Sequence, residues 1–160
     1  MIIMIAMIIA IMGYTFTGAN PARLEPGGAA GQHPHMLLVY GYVAWVVFMA
    51  TGIANGILRV SVLETSLSQY AAHLISTAIL CLALFVEINV FLGIVGDHSQ
   101  SWLIALGLMW TLLTVAFEFG FGHFVARQSW ATLLENYNLL RGRVWPAVLL
   151  VVLLTPPLVG

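Results

Sequence analysis

Residues 36–58 form a run of 23 amino acids without one Asp, Glu, Lys or Arg. As a helix this run is about 35 Å long at roughly 1.5 Å per residue, enough to cross a bilayer core of about 30 Å. In lipid every backbone N–H and C=O must be satisfied inside the chain, so such a segment must be helical. The rest of the sequence has the same character. Charged residues make up 7% of the 160, against roughly 25% in ordinary soluble domains, while apolar and aromatic residues make up 61%. A folded, water-soluble monomer is thereby excluded. Five arginines without a lysine, and a net charge of −1, leave no basic face for nucleic acid. The single cysteine, Cys81, lies between Leu80 and Leu82 and reads as a packed apolar residue that has no internal disulfide partner.

Four further runs complete the expected architecture. Residues 1–20 are apolar. Thr17-Gly18-Ala19 resembles a signal cleavage site, but no Lys or Arg precedes the run and it exceeds the usual h-region, so an uncleaved span is expected. Residues 21–35, with Pro21, Pro26, Gly27, Gly28, Gly31 and Pro34, read as a loop. The segment 69–96 is interrupted only by His73 and Glu87, residues 97–101 make a turn, and 102–125 carries Glu118 and His123. The last run, 144–160, has Pro146 near its start and Pro156-Pro157 near its end; it reads as a short span or a half-inserted helix. Between these, Trp130, Leu133, Leu134, Tyr137 and Leu140 recur at helical spacing within 128–142, which fits an amphipathic helix in the interface or a short connector. The expected fold is an all-α polytopic transmembrane bundle, one membrane domain of five spans plus an interfacial helix. Arginines in alternate loops (Arg59, Arg127, Arg141 and Arg143 against Arg23) place the N-terminus in the cytoplasm and the C-terminus outside. The location this implies is a cell membrane, such as the bacterial inner membrane, with the bilayer as the first partner.

That topology gathers Arg59, Glu64, His73, Glu118, His123, Arg141 and Arg143 near one face of the membrane. Glu118, inside Thr114-Val115-Ala116-Phe117-Glu118-Phe119-Gly120-Phe121-Gly122, is the most informative. A carboxylate there costs several kcal/mol unless it is protonated, paired or hydrated. Arg59 or Arg141 is the expected partner, as a structural ion pair or as part of a site. His73 reads as an interhelical hydrogen-bonding residue or a proton relay, and His123 as an interfacial residue beside Arg127. Glu118 and His123 are five apart and do not share a helix face, so no metal is assigned, and a haem between His73 and His123 is no better specified. Glu87, 14 residues after His73 and on a similar helix face, is a secondary candidate: either a polar track through the membrane or a side chain reaching the interface. Gly52-Ile53-Ala54-Asn55-Gly56 is a GxxxG pattern for close helix packing, internally or in a homo- or hetero-oligomer. Trp102, Trp110, Trp130 and Trp145 read as interface anchors, and no nucleotide loop, HExxH, GxSxG or CxxC is present.

Glu118-Phe119-Gly120-Phe121-Gly122-His123-Phe124, then Ser129-Trp130, Leu133-Leu134, Tyr137-Asn138, Gly142-Arg143 and Trp145 form a pattern that resembles an uncharacterised family of small bacterial integral membrane proteins. Asn55-Gly56, Leu58-Arg59 and His73 extend the likeness over residues 55–160. The family pattern carries an acid after Arg59 and another before Tyr137, where this chain has Val60 and Asn136. The resemblance implies a membrane protein and brings no activity. From the residues, three functions stand: a proton-linked transporter or channel-like protein using Glu118 and His73, with Arg59, Arg141 or Arg143 attracting an anion or lipid head group; a non-enzymatic subunit or assembly factor of a larger complex, using Gly52 and Gly56; and a membrane enzyme or haem or metal redox protein.

Overall fold

The computed structural model describes residues 34–96, 98–135, 137–138 and 144–160; the expected span 1–20, the loop before residue 34, and Arg141 and Arg143 lie outside them. Among the described residues every regular element is helical. Helix α1 (Pro34–Leu58) runs on through a π-helical turn (Arg59–Leu63) into the short α2 (Glu64–Ser66). Helix α3 is Gln69–Val95, and α4 is Gln100–Gly120, extended by a second π-helical turn (Phe121–Val125). Two shorter helices follow, α5 (Trp130–Glu135) and α6 (Trp145–Val159).

Local chemistry sets the boundaries. The Ser68 hydroxyl caps α3 by accepting from the Ala71 N–H at 3.3 Å. Gly96 ends α3 in the left-handed region (φ 77°), where its N–H bonds the Leu92 carbonyl at 3.0 Å. Pro146 opens α6, where a missing N–H costs nothing. Polar side chains inside the apolar helices turn back on their own backbone: Thr111 donates to Gly107 O and Thr155 to Val151 O.

Three helical stretches, Leu38–Ser66, Gln69–Val95 and Gln100–Val125, are long and apolar enough to cross a membrane. Helix α6 is apolar but has 15 residues, about 22 Å of rise, which falls short of a core of about 30 Å. The expected helix over 128–142 is described only as Trp130–Glu135; at Tyr137 and Asn138 the N–H groups bond the carbonyls three residues back, a tight turn instead of a continuing helix. That turn directs Tyr137 into the bundle.

Helix α1 packs against α3 and α4, and α6 packs against the same two, which gives a ring in the order α1, α3, α6, α4. Trp110 fills its middle. It is 0% exposed, meets Phe48 and Phe91 edge-on, and donates from Nε1 to the Gly41 carbonyl at 2.7 Å. This corrects the expectation that Trp110 anchors at an interface: its N–H found a carbonyl in the core. Close helix approach occurs at Gly107, where a Cβ would lie 2.4 Å from the Leu153 carbonyl oxygen of α6. At Gly52 and Gly56 no described residue lies within 4 Å of an added Cβ, so among the described residues the GxxxG face carries no close helix contact. The outer surface is apolar along helical stripes, for example Leu82, Val86 and Val90 on α3 and Ile104, Leu108 and Leu112 on α4. Such stripes suit lipid.

Candidate functional site

Arg59 at the end of α1, His73 near the start of α3 and Glu118 near the end of α4 are brought to one end of the bundle because α1, α3 and α4 alternate in direction. Together they line a half-open cleft of about 340 Å³ between the helices. Its walls are apolar, with Phe48, Leu80, Phe117 and Val152 among them, and Asn55, Gln128 and Trp145 add polar groups. Gly52 and Gly56 also face it, which is why no side chain fills that space.

Among the described residues Glu118 is held by donors other than Arg59; Arg141, the other expected partner, lies outside them. Its Oε2 accepts from the Tyr137 hydroxyl at 2.5 Å and from Trp145 Nε1 at 2.7 Å. One donor comes from the turn after α5 and the other from the first residue of α6, so this carboxyl joins three segments. Burial, then the hydrogen bond to Glu118 and its charge, push the Tyr137 phenol well above its ordinary range, keeping it a donor at neutral pH. Tyr137 and Trp145 belong to the sequence pattern around Glu118, but aromatic residues in an apolar chain read equally well as anchors, and nothing in their spacing singles them out as its donors.

Arg59 instead turns to α3. Its guanidinium lies 3.0 Å from His73 Nδ1 and its Nε lies 3.6 Å from Glu64 Oε1. A guanidinium only donates, so Nδ1 must accept, and in this arrangement His73 is the neutral tautomer with its proton on Nε2. Protonation of His73 at Nδ1 and the bond to Arg59 are therefore mutually exclusive. The longer contact with Glu64 joins partly exposed groups and adds little stability.

His123 lies apart from the cleft lining. The second π-helical turn and the reversal at Arg127 (φ 54°) let His123 Nδ1 donate to the Gln128 carbonyl at 3.0 Å and stack on Trp130 at 4.1 Å between ring centroids. The same turn buries Gly122 against Leu133 of α5. Glu87 does not reach an interface as one reading expected; its Oε1 accepts from the Thr51 hydroxyl at 2.6 Å and its Oε2 is buried. Among the described residues, no three His, Cys, Asp or Glu side chains are grouped to hold a metal ion. The arrangement offers an apolar compartment with a cation, a neutral imidazole and a hydrogen-bonded carboxyl at one end. Comparison with protein-family models, curated proteins and solved structures returns no match.

Proposed function

We propose that the chain is a small proton-linked transporter or channel-like membrane protein whose cleft takes an anion with an apolar body. The observation that carries this reading is the convergence of Arg59, His73 and Glu118, from three separate helices, on one cleft with apolar walls. Arg59 and His73 hold the anionic head, and Glu118 exchanges the proton. With Glu118 ionised, its charge offsets that of Arg59; with Glu118 protonated, the cleft gains positive charge and draws an anion in, which couples the two species. A cleft of about 340 Å³ is at the small end of ligand pockets, roughly 300–1,000 Å³, and suits an aryl or short alkyl anion.

The test uses benzenesulfonate, a permanent anion with an apolar ring, in proteoliposomes under an imposed pH gradient. Uptake is expected to rise when the side holding benzenesulfonate is acidified. Arg59→Gln removes a charge-assisted hydrogen bond of about 1.5–3 kcal/mol, so binding weakens roughly ten- to a hundredfold. Glu118→Gln removes the pH stimulation. Uptake indifferent to all three changes sinks the proposal.

In the same reading residues 1–20 and α6 are further membrane segments, making five, with the arginine-rich end in the cytoplasm. A second reading, as a subunit of a larger complex, is favoured by the open space over Gly52 and Gly56, which suits a partner's helix. Purification as a lone monomer in mild detergent would count against it.

A further inference from the structure

Glu87 lies outside the cleft lining and is unexplained by the anion reading. It sits eighteen residues into α3, about 27 Å along the helix from its first residue. Thr51 of α1 donates to its Oε1, and its Oε2 is buried with no hydrogen-bond partner. Thr51 is itself only 8% exposed. One turn further along the same face of α1, Asn55 presents another buried oxygen, Oδ1, that no donor meets. Among the described residues one other buried side-chain polar atom lacks a hydrogen bond, Arg59 Nε, a turn beyond Asn55, and it has Glu64 for an ion pair. The unmet polar atoms thus fall along one seam, between α1 and α3.

Two acceptor oxygens cannot satisfy one another, and the Thr51 hydroxyl already donates its hydrogen bond to Glu87, while its own oxygen can still accept. Among the described residues the seam is short of positive charge as well. Helix α6, which also packs on α3, has no ionisable side chain. On α1 and its extension the ionisable groups are His35, Tyr40 and Tyr42 towards one end and Arg59 and Glu64 at the other. Arg59 lies eight residues from Thr51, about 12 Å along the helix, and is committed to His73 and Glu64. An unbalanced carboxylate in an apolar span is costly, and intramembrane carboxyl groups mark ion and proton paths.

We propose that Glu87, Thr51 and Asn55 form a monovalent-cation site on the α1–α3 seam, occupied by a proton carried on Glu87 or by a Na⁺ ion held by the three side-chain oxygens. In the proton form Oε1 is the carbonyl oxygen that accepts from Thr51, and Oε2 carries the proton. The site meets the anion cleft only at Asn55; Glu87 and Thr51, the residues its test changes, do not line the cleft.

The experiment is infrared difference spectroscopy of the full chain in lipid nanodiscs, wild type minus Glu87→Gln, at neutral pH. It is run first in choline chloride and then in NaCl of equal ionic strength. A protonated-carboxyl C=O band in choline chloride is expected. Its persistence in NaCl identifies the proton as the ligand, and its replacement by carboxylate bands identifies Na⁺. Carboxylate bands already present in choline chloride overturn the proposal, since Glu87 would then be ionised without a cation. Thr51→Val, which leaves the carboxyl in place, shifts the C=O band upward by removing the hydrogen bond at Oε1; an unshifted band also overturns it. If Glu87→Gln fails to fold, the wild type minus Thr51→Val difference in the two salts gives the same reading.

Discussion

Glu118 shows what one residue can contribute to a site in an apolar chain. Its Oε2 draws Tyr137 and Trp145 from segments 19 and 27 residues away, so the carboxyl both shapes the cleft and ties down the chain after α4. Tyr137→Phe removes one of the two described donors and is expected to cost about 1–3 kcal/mol. Thermal unfolding in detergent checks this, and in the Glu118→Gln background the cost should fall, a double-mutant coupling. The pH dependence follows from the direction of the Tyr137 shift. A phenol whose folded value lies above its unfolded value of about 10 contributes stability fully below about pH 10, and that contribution fades as pH rises towards the folded value. The stability difference between wild type and Tyr137→Phe should therefore be flat from pH 6 to pH 9 and shrink only in strong alkali. A difference that shrinks between pH 6 and pH 9 would contradict the bonded, protonated phenol. His73 gives a complementary lesson: its role as a hydrogen-bonding residue is foreseeable from a histidine in an apolar run, whereas its acceptance from Arg59 depends on where α1 ends.

At the scale of elements, the helices are legible because apolar runs of this length have one backbone solution in lipid. Their contacts are less legible. The GxxxG pattern at Gly52 and Gly56 points to close packing, yet among the described residues the close approach to another helix's backbone is at Gly107, a lone glycine among Leu106, Leu108 and Met109. Gly107→Ala places a methyl group against the Leu153 backbone carbonyl, which cannot rotate away, so α4 and α6 must separate at a cost of about 1–3 kcal/mol. Gly122→Ala meets only the end of the Leu133 side chain, which can turn, and should cost less. Gly93→Ala meets nothing and should be neutral or stabilising by about 0.5–1 kcal/mol through reduced chain entropy. Thermal midpoints of the three variants should rank Gly93→Ala highest and Gly107→Ala lowest; a reversed order would refute the α4–α6 contact. The two π-helical turns, at Arg59–Leu63 and Phe121–Val125, fall at the cleft end of the bundle. No periodicity in the sequence announces them, since a one-residue widening leaves composition unchanged.

At the scale of the whole molecule, the described helices alternate in direction, so the connection after α2 and the one after α4 share one end, and the turn between α3 and α4 is at the other. Single cysteines at Ser66, Ser129 and Ser99, in a Cys81→Ser background, should report this through a membrane-impermeant thiol reagent on intact cells. Ser66→Cys and Ser129→Cys are expected to label from the same side and Ser99→Cys from the opposite side. In the proposed orientation, drawn from the positive-inside rule, the first side is the cytoplasm. Labelling of all three from one side would overturn the crossing of α3 and α4.

The sequence by itself determined the class: long runs without charge can only be helices in lipid, and an acid within such a run needs a partner or a proton. It also brought Arg59, His73 and Glu118 to a common depth, because depth follows from counting residues along a helix. Only the tertiary structure decided azimuth, meaning which face of each helix turns inward. Helices that are apolar almost all round carry little amphipathic signal to orient them. Hence the described donors to Glu118 are Tyr137 and Trp145 and not Arg59, Trp110 went to the core, and Glu87 met Thr51 across a seam that spacing alone does not reveal.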